Sequence, residues 1–271
     1  MLVEKEKLCN WIDNFYGYGS WNARIWFVSH EEDGGDFPED VADKLNYFVR
    51  VHKGESTGTL CDIRELYREA TFRDDGPKSG LYANHFDYRF GERAMPVTVW
   101  KNLISFEHGY LNEGQPDLLQ YQRNIFASPE HGHEALIRLF PLPSPHSHAW
   151  YYSWLDLDLK FLRKRELYES HLYDIRLRTI LSNIKKHQPQ LVLMYGMNNI
   201  NALKTSLSDF FNGLKFRMIK GTKLQIPQHH IAESGKTTMV ITTQIPALRH
   251  NRIESGFDWE LFGKSLRVKE L

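Results

Sequence analysis

Residues 25–36 read Ile25-Trp26-Phe27-Val28-Ser29-His30-Glu31-Glu32-Asp33-Gly34-Gly35-Asp36. A continuous apolar run gives way, across Ser29 and His30, to four carboxylates. A run this short and bulky, with no polar alternation, is the pattern of a strand buried on both faces. Two further runs repeat it. Ala135 to Phe140 is closed by Pro141-Leu142-Pro143-Ser144-Pro145, and Gln190 to Tyr195 is closed by Gly196. Thr238 to Thr243 forms a last strand, followed by Gln244-Ile245-Pro246.

Helical spacing fills the intervals: Lys5 to Phe15, Val41 to Val51, Val97 to Phe106, Leu118 to Phe126, Leu159 to His187, Asn199 to Phe211 and Phe257 to Val268. Phe216 to Ile231 suggests a short strand pair. Apolar strands alternating with helices predict an α/β fold whose parallel sheet is covered on both faces. The chain reads as a single domain over 1–271, with an irregular insertion at about 50–95 rich in Gly, aromatic and Arg residues. Such long irregular stretches are more often functional than simple connectors.

The chain has 271 residues, and its 34 basic side chains are balanced by 34 acidic ones. A nucleic-acid partner would therefore have to meet a local patch and not a general basic field. Two lone cysteines, Cys9 and Cys61, exclude a disulfide framework and a Cys-rich metal site. They fit a reducing, cytoplasmic setting. No run reaches the length of a membrane span, and no P-loop, GxGxxG or GxSxG motif is present.

Ligands of parallel sheets bind beyond the carboxyl ends of the strands. That rule makes the acidic stretch a candidate site, against the plainer reading of a solvated turn. His131, His133, His146 and His148 sit in loops without the helical spacing of a zinc motif, so no metal or other cofactor is expected. A metal-dependent nuclease using Glu31, Asp33, Asp36 and these histidines stays open as an alternative.

In order and character these features resemble the uracil-DNA glycosylase superfamily, in a divergent branch that includes phage-defence enzymes acting on hypermodified bases. The strand and acidic turn Val28–Gly35 correspond to the family's first strand and its Gly-x-acid turn, with Ser29 at the glycine and Glu31 at the acid. Ala135–Pro145 resembles the second strand and its Pro-rich exit, Leu191–Gly196 the third strand, and Ile241–Ala247 the last. Arg138 stands near the family's base-reading asparagine, and the histidine expected before Pro246 is replaced by Ile245 or Gln244.

The resemblance implies a three-layer α/β/α sandwich on a central, mostly parallel four-stranded sheet. It implies a monofunctional DNA glycosylase that flips a nucleotide and leaves an abasic site. Glu31 would be the catalytic carboxylate, with Glu32 in reserve. His30, Arg138 and Gln244 would meet the base, and Arg249, His250, Asn251 and Arg252 the DNA backbone. The departures point away from uracil and towards a modified pyrimidine, a glucosylated hydroxymethyl form among the candidates. The partner would be DNA, double-stranded with a flipped base or single-stranded, bound by a monomer. A uracil or damaged-base repair enzyme and a non-catalytic DNA-binding protein on the same fold are the alternatives.

Overall fold

The computed structural model describes residues 3–32, 41–53, 58–144, 150–222, 225–247 and 256–267. Its centre is the quartet of apolar runs. Strands β2 (Ile25–Ser29), β4 (Glu134–Arg138), β5 (Leu191–Tyr195) and β8 (Thr237–Ile241) are buried at every position. All three pairings within the quartet are parallel, in the order β4-β2-β5-β8.

The sheet is larger than the four strands expected. It has eight strands and is mixed, running β3-β1-β4-β2-β5-β8-β7-β6. On one side β1 (Phe15–Tyr18) lies antiparallel to β4 and parallel to β3 (Thr59–Cys61). On the other, β7 (His229–Ser234) and β6 (Arg217–Ile219) continue antiparallel from β8. The physical reason is local. Phe15 continues the helical apolar spacing of α1 (Lys5–Asn14), so β1 is hidden in a helix pattern, although Phe15 already has extended backbone. β3 is three residues long, too short for periodicity to register, whereas β6 and the start of β7 form the strand pair expected over Phe216 to Ile231.

Successive side chains on a strand point to opposite faces. Phe27 of β2 meets Phe106 of α5 (Thr98–Leu111), whereas its neighbour Trp26 meets His187 of α7 (Arg165–His187). Helices therefore cover both faces, which is why the strands carry no polar alternation. α9 (Trp259–Leu266) packs on α5 at a pair of glycines. A Cβ on Gly263 would stand 2.0 Å from the Phe106 carbonyl oxygen, and one on Gly109 would stand 2.2 Å from that of Glu260.

The insertion at about 50–95 is more ordered than its composition suggests. It holds β3, α3 (Ile63–Glu69) and α4 (His85–Phe90), between α2 (Ala42–Val51) and α5. Arg64 stitches it to the C-terminal end of α6 (Leu118–Asn124) and the residues just after, by donating to the carbonyls of Gln122, Arg123 and Phe126. After α7 and β5 comes α8 (Ile200–Phe210). Among the described residues no helix is long and apolar enough to cross a membrane.

Candidate active site

The chain leaves β2 to form β4 on one side and later β5 on the other. The sheet thus has its switch point beside β2, where a crevice opens past the carboxyl ends of the strands. The last residues of the three strands stand in register there, Ser29 against Arg138 and Ser29 against Tyr195. All three line a cleft of about 580 Å³. Beyond the strand end, Leu139 and Phe140 donate backbone hydrogen bonds to Ser29 and His30, holding the acidic turn against the exit of β4.

Glu31 and Glu32, adjacent in sequence, are put to opposite uses. Glu32 is buried. Its Oε2 accepts from the Tyr18 hydroxyl at 2.8 Å, and its Oε1 from the Tyr67 hydroxyl at 2.5 Å and Lys44 Nζ at 3.2 Å. Burial by itself would raise this carboxyl's pKa. Lys44, Arg138 and the two tyrosine hydrogen bonds outweigh it and bring the pKa to about 2. Glu32 lines the cleft, yet its oxygens are occupied by β1, α2 and α3, so its reserve role as a catalyst is replaced by that of a buried anion tying three elements together.

Glu31 accepts from Arg165 Nη1 at 2.7 Å, and Arg165 Nη2 binds the Ser144 hydroxyl of the Pro-rich exit at 2.5 Å. Arg165 begins α7 and lies over the ring of Trp150. His30 stands between two acids, with Nδ1 3.9 Å from Glu31 and Nε2 3.5 Å from Glu169. Burial and the neighbouring Arg165 push its pKa down to about 4, so the imidazole is neutral near pH 7. Burial raises the Glu169 carboxyl's pKa, against the opposing effect of Arg165.

Arg138 is buried at the end of β4 and donates from Nη1 to the Ser29 hydroxyl at 2.6 Å. Gln244 departs from expectation. Its backbone carbonyl pairs with Gly196, but its side chain is exposed and outside the cleft lining, where Ile245 stands instead. Arg249, His250, Asn251 and Arg252 lie outside the described residues, as do Asp33, Asp36, His146 and His148. His131 and His133 precede β4, at the strand end remote from Arg138. Among the described residues no group of three His, Cys, Asp or Glu side chains could hold a metal.

Sequence reasoning missed Arg165, Glu169, Asn198, Tyr195 and Trp100, all of which line the cleft. The one available signal was the Arg165-Glu169 spacing of i,i+4, which reads equally well as an ordinary helix-surface pair. A second cavity of about 450 Å³ between α7 and α8 shares His30, Glu169 and Asn198 with the first. Comparison with protein-family models and with curated proteins finds no match to this chain.

Proposed function

We propose that the protein is a DNA glycosylase that takes a modified pyrimidine nucleotide out of the stack and hydrolyses its N-glycosidic bond. The observation that carries this reading is the meeting of Ser29, Arg138 and Tyr195 at the switch point, with the Glu31 carboxylate two residues beyond Ser29 in the same cleft. The parallel order β4-β2-β5-β8, with helices on both faces, supports membership of the uracil-DNA glycosylase superfamily.

Hydrolysis breaks the bond between C1′ and the base nitrogen, whose electron pair leaves with the base. Water supplies the new oxygen on C1′, gives up one proton, and the departing base takes one up. Positive charge therefore grows on the sugar while negative charge grows on the base. Glu31, held by Arg165, is the anion for the sugar and the acceptor for water's proton. Neutral His30 can hydrogen-bond without adding positive charge beside the developing cation. Arg138 faces the base.

The cleft, of about 580 Å³, is lined by charged, hydroxyl and aromatic side chains that can contact a flipped nucleotide. Flipping costs a few kcal/mol, repaid by such contacts.

The test is incubation with DNAs carrying uracil, unmodified, hydroxymethylated or glucosylated bases, read by alkaline cleavage and mass spectrometry of the released base. Free modified base with an alkali-labile strand is the expected result. Strand cleavage abolished by EDTA, with no free base, would replace this reading with a nuclease. A defence role against phages with modified genomes would appear as reduced plaque formation by those phages alone.

A further inference from the structure

Ser144 and Arg165 both line the cleft, and Arg165 Nη2 donates to the Ser144 hydroxyl at 2.5 Å. The chain between them therefore leaves the rim of the cleft and returns to it. Its described part holds two 3-10 turns packed on each other, Tyr151–Trp154 and Lys160–Arg163. The first turn is firmly anchored. Tyr152 is buried and donates its hydroxyl to the Pro143 carbonyl at 3.0 Å, and Trp150 donates Nε1 to the Leu162 carbonyl at 2.7 Å. On that fixed backbone Trp154 stands 68 % exposed, its ring 5.0 Å from that of Tyr151 and tilted by 37°. An indole left in water forgoes the burial that normally stabilises it, and an anchored turn needs little further ordering when a ligand is laid on it.

The charges beside these rings say what that ligand is. Lys160, Arg163 and Lys164 are exposed, and none has a side-chain partner among the described residues. Arg163 and Trp154 line one recess of about 280 Å³, together with Asp156 and Asp158. The three cations outnumber the two acids. A protein partner fits poorly, because the buried centre of a protein interface is depleted of charge, and here five charged side chains accompany two rings. Unpaired nucleic acid fits well. Every base offers a flat face to an aromatic ring, and every nucleotide brings a phosphate to a neighbouring cation. Inside a duplex those faces are already stacked.

Taking DNA as the nucleic acid rests on the glycosylase reading above. We infer that Tyr151 and Trp154 form a stacking platform for unpaired bases at the rim of the cleft. Lys160, Arg163 and Lys164 hold the phosphates of the same strand, and the protein prefers single-stranded to duplex DNA.

The experiment measures binding, by fluorescence anisotropy, of a labelled single-stranded oligonucleotide with ordinary bases and of its duplex. Wild type should bind the single strand more tightly. Trp154→Ala should weaken that binding about fivefold to a hundredfold, the range of one stacked base, and leave the duplex within twofold. Trp154→Phe keeps a π-face and should restore most of the loss. Arg163→Ala and Lys164→Ala should each flatten the logarithmic salt dependence by about 0.7. The substituted side chains are exposed, and a thermal melt of each variant shows that it folds.

A folded Trp154→Ala protein that binds the single strand as wild type does would overturn the inference, as would wild type binding only duplex. So would Trp154 fluorescence that responds to a free hexose and not to the oligonucleotide, which would make the recess a saccharide site. Because ordinary DNA is used, the outcome does not depend on base release. If no DNA releases base while this binding pattern holds, the glycosylase reading falls and the platform stands. If base is released while Trp154→Ala binds normally, the platform falls alone.

Discussion

At the residue scale, two adjacent glutamates divide the work. On the glycosylase reading proposed above, Glu31→Gln keeps the shape but removes the anion, and should lower base release by about a hundredfold to a thousandfold, as loss of one electrostatic stabiliser of a transition state does. Alkaline cleavage measures it, and the melting temperature should move little. Glu32→Gln should do the reverse in kind. It leaves buried Lys44 without its anion, which costs about 3–5 kcal/mol in urea unfolding. The pH dependence has a definite sign. The folded pKa of Glu32, about 2, lies below the ordinary 4.5, so its contribution is present above 4.5 and is lost as pH falls towards 2. Wild type should lose on the order of 3 kcal/mol across that window, and Glu32→Gln should show a flatter acid limb. The sequence ranks Glu31 first only through the resemblance. Glu32's partners lie 12, 14 and 35 residues away, at Lys44, Tyr18 and Tyr67, and no local pattern announces them.

At the element scale, the α5–α9 crossing sets a test in which two effects oppose. Alanine is the better helix former by about 1 kcal/mol, which favours Gly263→Ala. The Cβ would meet the Phe106 carbonyl oxygen at 2.0 Å and force the helices apart, an overpacking cost of about 1–3 kcal/mol with rigid backbone on the far side. Packing should win, and Gly263→Ala should lower the urea midpoint with no change in base selectivity. The four buried strands were readable because each carries at least three consecutive apolar residues without polar alternation, a pattern that comes from helices on both sides. β1 and β3 were not, since each is three or four residues long and gains its place from the pairing edges of its neighbours, whereas β6 falls within the strand pair read over Phe216 to Ile231. Glycine's freedom matters at Gly17 of β1, where φ is +134° and the Leu136 carbonyl leaves no room for a side chain.

At the scale of the whole molecule, the sheet's two ends carry opposite electrostatic tasks. At the end away from the cleft, fully buried Glu107 of α5 lies against Glu134, which opens β4 and accepts from Tyr121 and the Ala127 amide. Burial, then the Glu134 charge, raises the Glu107 carboxyl's pKa well above its ordinary range. Here the folded chain keeps a proton that the unfolded chain has released, so stability is full below about pH 4.5 and declines as pH rises towards the raised value. Glu107→Gln should remove that decline, and urea midpoints between pH 5 and 9 would measure it. A midpoint as pH-dependent as wild type's would contradict it. The cleft at the other end is a tertiary product. Its floor comes from the carboxyl ends of β2, β4 and β5, one wall from Tyr67 and Arg89 of the insertion, and another from Arg165 and Glu169 of α7. The sequence alone determined the α/β class, the four central strands and the position of the acidic turn, because periodicity and strand-end chemistry are written within a few neighbouring residues. Only the tertiary structure decided that the sheet of the described residues has eight strands, that Glu32 is a tied internal anion, and that Arg138 is buried at the cleft against the Ser29 hydroxyl. Those depend on charges and donors meeting across dozens of residues, where burial sets their energies and spacing along the chain carries no trace of it.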